Sequence, residues 1–265
     1  MIKGKYHLAK VRPNIDVTGA TAYSQHDVLF DWHRFEIPRG ACAIKSFNMI
    51  VTGTEGAAAA GDDMEIFFAT SVNGVAPTSI AAANADSRVK ATWTACRNNI
   101  IGHKILDASA MENSDTYTLS YNLWDQTAVG DQVQNQIDIV LEGDPNYPGT
   151  TAGYQSIWIA GVSIEGGEDF GTGVILNETD ADALAAYDAS DATKSTASLV
   201  VDGVDARNVF APGDELIAAD GALIGTAKTV GELLITLEAK HTDALTNNDE
   251  ICFRGPIQFN FGIEY

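Results

Sequence analysis

Residues 199–253 read LVVDGVDARNVFAPGDELIAADGALIGTAKTVGELLITLEAKHTDALTNNDEICF. Short runs of β-branched and aliphatic residues alternate here with turn-forming residues, which is typical of a small antiparallel barrel or sandwich. Asp220-Gly221 lies between two apolar pairs and suits a type I′ hairpin, because both central residues of that turn need a positive φ. Residues 212–214 (PGD) and 247–249 (NND) supply two further turns. We therefore predict a small β-barrel module over residues 198–255.

The chain before this module carries a series of β-like segments separated by turns. The clearest is 115–124 (DTYTLSYNLW), in which apolar and polar side chains alternate, as in a half-buried antiparallel strand. Strands of this kind, without a long amphipathic helix, predict an all-β protein whose body is a jelly-roll-like antiparallel sandwich. The other predicted body strands include 27–37, 43–52, 64–70, 89–95, 136–141 and 155–164.

The final segment, IQFNFGIEY (257–265), alternates along its whole length, so its apolar face is expected to be buried. The simplest topology places this strand beside 157–164 in the body. Residues 168–255 would then be an insertion. The predicted organisation is a β-sandwich body of residues 1–167 plus 256–265, an acidic linker of 168–197 with at most a short helix, and the barrel module of 198–255.

The chain is strongly acidic, because 16 Lys and Arg against 36 Asp and Glu give a formal charge of −20. Bare nucleic acid and anionic membranes are therefore poor partners. Residues 1–45 hold seven Lys and Arg and four acids, which makes this segment +3 and the remainder −23. We predict that Lys3, Lys5, Lys10 and Arg12 dock on an acidic partner surface or on a neighbouring copy. The alternative is that they are ordinary exposed basic residues.

Cys42, Cys96 and Cys252 are too few and too far apart for a disulfide framework or a Cys-x-x-Cys metal site. We expect buried free thiols and synthesis in a reducing compartment. The N-terminal stretch MIKGKYHLAKVRP lacks the apolar core of a signal peptide, and no apolar run is long enough to span a membrane. Export and membrane insertion are therefore not expected.

No stretch of the sequence spells out a catalytic site, since motifs for a serine nucleophile, a phosphate loop or a zinc helix do not occur. His26 and His33 flank acidic residues, but their spacing places them on opposite faces of a strand. Acidic runs at 62–63, 168–169 and 180–191 could bind Ca²⁺, although none matches a calcium-binding loop, and solvated acidic loops are the alternative. We assign no catalytic, cofactor-binding or metal-binding residue and expect a protein that is not an enzyme.

The stretch 199–253 also resembles small β-barrel modules in structural proteins of tailed bacteriophages. The shared pattern is Phe-x-x-Gly-Asp, a strand, Ala-Asp-Gly, Ile-Gly-Thr, the strand LITL, a hydrophilic turn and Asp-Glu-Ile. The resemblance covers about 55 of 265 residues. It implies a virion role, such as head decoration or a tail-associated part, and it implies no catalytic residues.

The expected function is therefore that of a virion structural protein, synthesised in the host cytoplasm, which decorates or stabilises a phage capsid. Its expected partners are the major capsid protein or another virion protein and further copies of itself, with a trimer as one possibility. A carbohydrate-binding or adhesion module is the alternative, for which Trp32, Trp93, Trp124 and Trp158 would have to share an exposed face rather than point into the core. A glycan hydrolase is a third reading.

Overall fold

The computed structural model describes residues 5–15, 23–52, 63–82, 90–107, 112–113, 118–123, 139–166, 173–218 and 221–265. The fold class predicted from the sequence, an all-β antiparallel sandwich with a second small β-barrel, is confirmed. The strands of the described residues are β1 (Tyr6–Val11), β2 (Val28–Pro38), β3 (Cys42–Thr52), β4 (Met64–Ala69), β5 (Ile100–Leu106), β6 (Glu112–Asn113), β7 (Thr118–Leu123), β8 (Val140–Leu141), β9 (Tyr154–Ser163), β10 (Val174–Leu176), β11 (Ser198–Asp202), β12 (Glu215–Ala218), β13 (Leu223–Val230), β14 (Leu234–Leu237), β15 (Glu250–Phe253) and β16 (Ile257–Glu264). The helices are α1 (Lys90–Cys96) and α2 (Ala181–Leu184), and Ala206–Asn208 form a 3₁₀ turn.

The body consists of two facing antiparallel sheets. One sheet has the order β1-β16-β3-β7-β6, with the short β8 beside β3, and the other has the order β2-β9-β4-β5. If β6 and β8 are set aside, the body has eight strands, which in chain order are β1, β2, β3, β4, β5, β7, β9 and β16. Numbered one to eight, they have the order 1-8-3-6 in the first sheet and 2-7-4-5 in the second. This order is that of a jelly roll, which is built from two Greek keys.

β16 supplies the centre of the body core. Its side chains alternate as expected, and those of Ile257, Phe259, Phe261 and Ile263 are buried. The ring of Phe261 stacks on that of Phe35 in the facing sheet, with 5.7 Å between ring centroids. Such aromatic pairs contribute about 0.5–1.5 kcal/mol beyond the area they bury. The body core is therefore complete only with a strand that follows the barrel in the sequence.

The prediction that β16 lies beside residues 157–164 is wrong. β16 pairs with β1 on one side and with β3 on the other. β9, which contains most of that predicted partner, lies in the facing sheet between β2 and β4. Either placement buries the same face of β16, because side-chain alternation fixes which residues point inward and leaves the choice of sheet open.

The barrel closes in the order β10-β11-β14-β13-β12-β15. It has its own hydrophobic core, which does not share residues with the core of the body. The β12–β13 hairpin turns at Gly221, which has a φ of +83°, at the position of the predicted Asp220-Gly221 turn. Asp220 itself lies outside the described residues. Buried members of the barrel core include Val174, Leu199, Leu216, Ile235, Leu237 and Ile251.

The described part of the predicted acidic linker contributes to the barrel. β10 lies within it and pairs with both β11 and β15. The short helix expected there is α2, where the side chain of Asp180 accepts a hydrogen bond from the backbone N–H of Asp182. A strand of three residues in acidic surroundings gives too short an alternation to be recognised from the sequence.

The predicted strand at 89–95 is wrong, because Lys90–Cys96 form helix α1. Trp93 lies 4.8 Å from Phe67 between ring centroids, and Cys96 is buried. Positions 93 and 96 are about one helical turn apart, so both reach the same side of the helix. Over so few residues, alternating small and apolar side chains do not distinguish a strand from a short helix.

Candidate interaction surfaces

The structure separates the four basic residues that were predicted to dock on a partner. Lys5 and Lys10 are exposed at β1, and the backbone of Lys5 is hydrogen-bonded to that of Tyr265. Lys3 lies outside the described residues. Arg12 contacts the barrel of the same chain, so it is set apart from the other two described residues.

Arg12 joins the body to the barrel. Its Nη1 donates to Oδ1 of Asp214 at 3.0 Å, and its Nη2 donates to Oε1 of Gln258 at 2.9 Å. The guanidinium also lies 5.1 Å from the centroid of the Phe253 ring. Asp214 is fixed in turn, because its Oδ2 accepts from the backbone N–H of Ala211. Arg12 is therefore a residue of the barrel–body junction rather than a free docking residue.

A row of amide hydrogen bonds extends from this junction across the outer face of the first sheet. Nε2 of Gln258 donates to Oδ1 of Asn260 at 3.1 Å, and Nδ2 of Asn260 donates to Oδ1 of Asn48 at 2.8 Å. These side chains belong to β16 and β3. The described middle of the outer face is thus polar, while β1 at the edge of the sheet carries the exposed apolar side chains of Tyr6 and Leu8.

β1 presents the first candidate surface, which we call the edge patch and define as Tyr6, Leu8 and Lys10. Ala9 and Val11 point into the core, so the alternate side chains point outward. Tyr6 is 72% exposed and Leu8 is 58% exposed. Among the described strands, β1 lies at the end of its sheet. A strand edge with exposed apolar side chains is a site where another chain can pair.

Basic side chains surround the edge patch. Lys5 precedes Tyr6 in the sequence, and Lys45 on β3 lies 3.5 Å from Glu264 between the Nζ and Oε2 atoms. With Lys10, three lysines face one glutamate in this part of a chain whose formal charge is −20. A surface of this composition favours an acidic protein partner.

The second candidate surface lies on the barrel, and we call it the barrel patch and define it as Val200, Leu233 and Leu234. Val200 on β11 is paired with Leu234 on β14, so the two side chains are neighbours on the outer face. Leu233 is 50% exposed and Leu234 is 45% exposed. Asp202 and Glu232 are exposed beside them, which gives this patch an acidic rim.

The barrel patch lies on the pair of strands opposite the two strands that carry the barrel–body junction. In the closed ring of strands, the β11–β14 pair lies opposite the β12–β15 pair. Asp214 directly precedes β12 and Phe253 ends β15, and both contact Arg12 of the body. The junction therefore uses one side of the barrel and leaves the barrel patch on the other.

The thiols are not placed for nucleophilic chemistry. Cys42, Cys96 and Cys252 are free and buried, which confirms the expectation from the sequence. Burial raises the pKa of each thiol. The pKa of Cys252 is raised to about 12 by burial and by the neighbouring charge of Glu250. Because the thiolate is the reactive form of cysteine, these three side chains are unreactive at neutral pH.

The described histidines include two that serve the packing of the fold. Burial, together with the positive charge of Arg254, lowers the pKa of His33, so this imidazole is neutral at physiological pH. His241 is fully buried, and its ring nitrogens each lie 2.7 Å from a carbonyl oxygen, that of Asp243 for Nδ1 and that of Ala183 for Nε2. His241 thus ties the α2 segment to the barrel.

One cleft of about 660 Å³ opens on the body and is lined in part by Ser71, Glu142, Asp144 and Asn146. Asp144 is already engaged there, because it accepts hydrogen bonds from the hydroxyl of Ser71 and from the backbone N–H of Asn146. Within the part of the chain that the structure describes, no three His, Cys, Asp or Glu side chains are grouped so as to hold a metal ion. The predicted acidic runs at 62–63 and 168–169 fall partly or wholly outside it.

A second cleft, of about 560 Å³, lies beside the barrel and is lined in part by Tyr187, Asp188 and Lys240. The ammonium group of Lys240 donates to the backbone carbonyl oxygens of Ala192 and Lys194. The ammonium group of Lys240 therefore stabilises the loop that contains Ala192 and Lys194. The other lining residues are Ala189, Ala192, Ala239 and Thr242, so few polar groups converge on this cleft.

The described tryptophans pack within the fold. Trp158 is buried beneath Tyr147, and Trp32 and Trp93 both pack against the cluster of Val28, Ile80 and Ala160. Trp124 lies outside the described residues. The three described indoles therefore do not form the shared exposed platform that sugar stacking requires.

No helix in the described ranges is long and apolar enough to cross a membrane. The fold and its surfaces define an all-β protein with a jelly-roll body, an inserted barrel and two candidate protein-contact surfaces. No protein-family model matches the chain, and no curated protein matches its sequence.

Proposed function

We propose that this chain is a structural protein of a bacteriophage virion, which decorates or stabilises the capsid through protein–protein contacts. The observation that carries the proposal is the strand order of a jelly roll with a barrel between its last two strands. Jelly rolls build viral capsid proteins, lectins and cupins. The inserted barrel also resembles modules of tailed-phage structural proteins. Because a fold alone does not define a function, the surfaces must distinguish these classes.

The surfaces favour protein contacts over ligand binding. Five of the exposed aliphatic and aromatic side chains lie in the edge patch and the barrel patch, and the other exposed ones, such as Ile105 and Val140, lie elsewhere on the described surface. In the two clefts, Asp144 and Lys240 are instead engaged within the chain. Grouped exposed apolar residues with polar rims are typical of protein interaction sites.

The edge patch is the docking surface in this proposal. It offers an open strand edge, apolar side chains from Tyr6 and Leu8, and a basic rim that includes Lys5 and Lys10. Pairing of a partner strand with this edge would supply backbone hydrogen bonds, and the outward side chains would supply specificity. Arg12 is excluded because it holds the barrel.

Particle composition tests the proposal directly. Virions are purified by density gradient from cells that produce the chain, and their proteins are measured by quantitative mass spectrometry. We expect the chain at a fixed ratio to the major shell protein. Its absence from purified particles would refute the virion role, and retention on host polysaccharide instead would favour the carbohydrate-binding alternative.

A matched pair of variants tests the docking surface. Leu8→Asp places a charge in the edge patch, whereas Val75→Asp makes the same kind of change at an exposed position of an unrelated turn. We expect Leu8→Asp to weaken binding to particles that lack the chain by at least about tenfold, and Val75→Asp to bind like the wild type. Equal binding by both variants would contradict the assignment of the edge patch.

A further inference from the structure

We propose that the edge patch of one copy binds the barrel patch of a neighbouring copy, so that the chain assembles head to tail. This inference rests on the proposed function and names a second copy of the chain as the partner of the edge patch, so that Leu8→Asp weakens binding to particles because it removes the multivalent contact of the assembled chain. The edge patch presents exposed apolar side chains from β1, the barrel patch presents them from the paired strands β11 and β14, and each patch has a charged rim. They differ in the sign of that rim.

The rim of the edge patch is positive. Lys5, Lys10 and Lys45 contribute three positive charges and Glu264 contributes one negative charge, which leaves +2. The ammonium of Lys45 lies close to the carboxylate of Glu264, so Lys5 and Lys10, at the two ends of the edge patch, carry its net positive charge.

The rim of the barrel patch is negative. Asp202, Asp205 and Glu232 contribute three negative charges and Arg207 contributes one positive charge, which leaves −2. Arg207 forms ion pairs with both Asp205 and Glu232 and so balances one of their two negative charges. The other negative charge and that of Asp202 remain beside Leu234. The two rims therefore match in magnitude and oppose in sign, as complementary protein surfaces do.

The two patches of one chain are kept apart. Tyr6 and Arg12 are separated by six residues of extended chain, or roughly 20 Å, and Arg12 marks the barrel–body junction. The barrel patch is on the far side of the barrel from that junction. The contact must therefore form between copies.

A contact between two different surfaces is heterologous, and its repetition gives a closed ring or an open filament. Pairing of two edge patches is the competing arrangement, but it would bring +2 against +2 and leave both barrel patches exposed. Opposite rims favour the head-to-tail contact, which covers the edge and barrel patches together.

The test measures the mass of the full chain in solution by light scattering at low and at high salt. We expect oligomers that dissociate with rising salt, because the Debye length falls from about 10 Å at 0.1 M to about 3 Å at 1 M. A wild-type chain that stays monomeric at all concentrations and salts would overturn the inference.

Two single variants, one for each patch, determine which surfaces meet. Leu8→Asp and Leu234→Asp are each expected to weaken self-association at least about tenfold, and circular dichroism checks that both remain folded. Each variant retains one intact patch, so an equimolar mixture should form a 1:1 dimer and stop there. Loss of association with Leu8→Asp alone would overturn the inference, because it would show that edge patches pair with each other.

A charge exchange supplies a second readout that does not alter the apolar side chains. Lys10→Glu should weaken association, and the double variant Lys10→Glu with Asp202→Lys should restore it. Failure of the second change to restore association would overturn the pairing of the two rims. Particle incorporation of a monomeric chain would refute this inference and leave the virion role intact, whereas an oligomer absent from particles would refute the virion role alone.

Discussion

Replacement of Arg12 by methionine should loosen the barrel from the body while the exposed surfaces of both remain unchanged. The aliphatic stem of Arg12 packs closely on Gly255, since a Cβ added to Gly255 would lie 2.6 Å from Cγ of Arg12. Methionine keeps much of this stem and therefore most of the packing. The substitution removes the hydrogen bonds to Asp214 and Gln258 and the contact with the Phe253 ring. The effect of Arg12→Met thus reports on the junction.

The size of the effect follows from these three contacts. Arg12 is 44% exposed, so solvent screening limits the ion pair with Asp214 to about 1 kcal/mol. The hydrogen bond to Gln258 contributes about 1 kcal/mol, and the cation above the Phe253 ring contributes about 0.5 kcal/mol. Arg12→Met should therefore lower the free energy of unfolding by about 2.5 kcal/mol and the melting temperature by about 5–10 °C.

Calorimetry and urea unfolding of both proteins measure this change, and a double-mutant cycle with Asp214→Asn isolates the ion pair. We expect a coupling energy of about 1 kcal/mol between the two positions. Lys228→Met is the matched control, because it removes an exposed cation outside both candidate surfaces and should change stability by less than about 0.5 kcal/mol. An Arg12→Met variant as stable as this control would refute the role of Arg12 at the junction.

Three further predictions concern the core. The pKa of His33 in the fold is below its ordinary value of 6.5, so the unfolded chain binds the proton first and stability is lost as the pH falls below 6.5. In urea unfolding, His33→Gln should therefore lose less stability than the wild type between about pH 7.5 and about pH 5. An equal loss in both proteins would contradict this. Cys252 should react with a thiol reagent only after unfolding, since its pKa is raised to about 12; rapid labelling of the native protein would contradict the assignment. Gly161→Ala should cost about 1–3 kcal/mol in thermal unfolding, because its Cβ would lie 2.3 Å from Cε1 of Phe30; wild-type stability would show that the Phe30 ring moves freely.

The barrel shows how far local chemistry can lead. The hairpin at Gly221 and the alternation of β16 were readable because turns and strands follow rules that span two to eight residues. β10 could not be recognised, because three residues give too short a pattern and its partners, β11 and β15, are far away in the sequence. The prediction of a strand at 89–95 failed for a related reason, since a short helix and a short strand can share the same residue pattern.

The candidate surfaces were predictable only in part. The excess of basic residues near the start of the chain indicated a docking segment, and Lys5 and Lys10 are exposed there. Charge alone could not separate these lysines from Arg12, whose partners Asp214 and Gln258 come from distant parts of the sequence. The barrel patch could not be recognised from the sequence, because Leu233 and Leu234 are aliphatic like the buried residues of the neighbouring strands.

The sequence by itself determined the all-β class, the positions of several turns and the inward face of strands such as β16. These features depend on the two-residue alternation of side chains along a strand and on the backbone preferences of single residues. Only the tertiary structure decided that β16 lies between β1 and β3, that Arg12 binds the barrel, and that Tyr6, Leu8 and Leu234 stay exposed. The physical reason is that strand pairing, ion pairing and burial depend on which distant segments cover a residue, and local alternation carries no record of them.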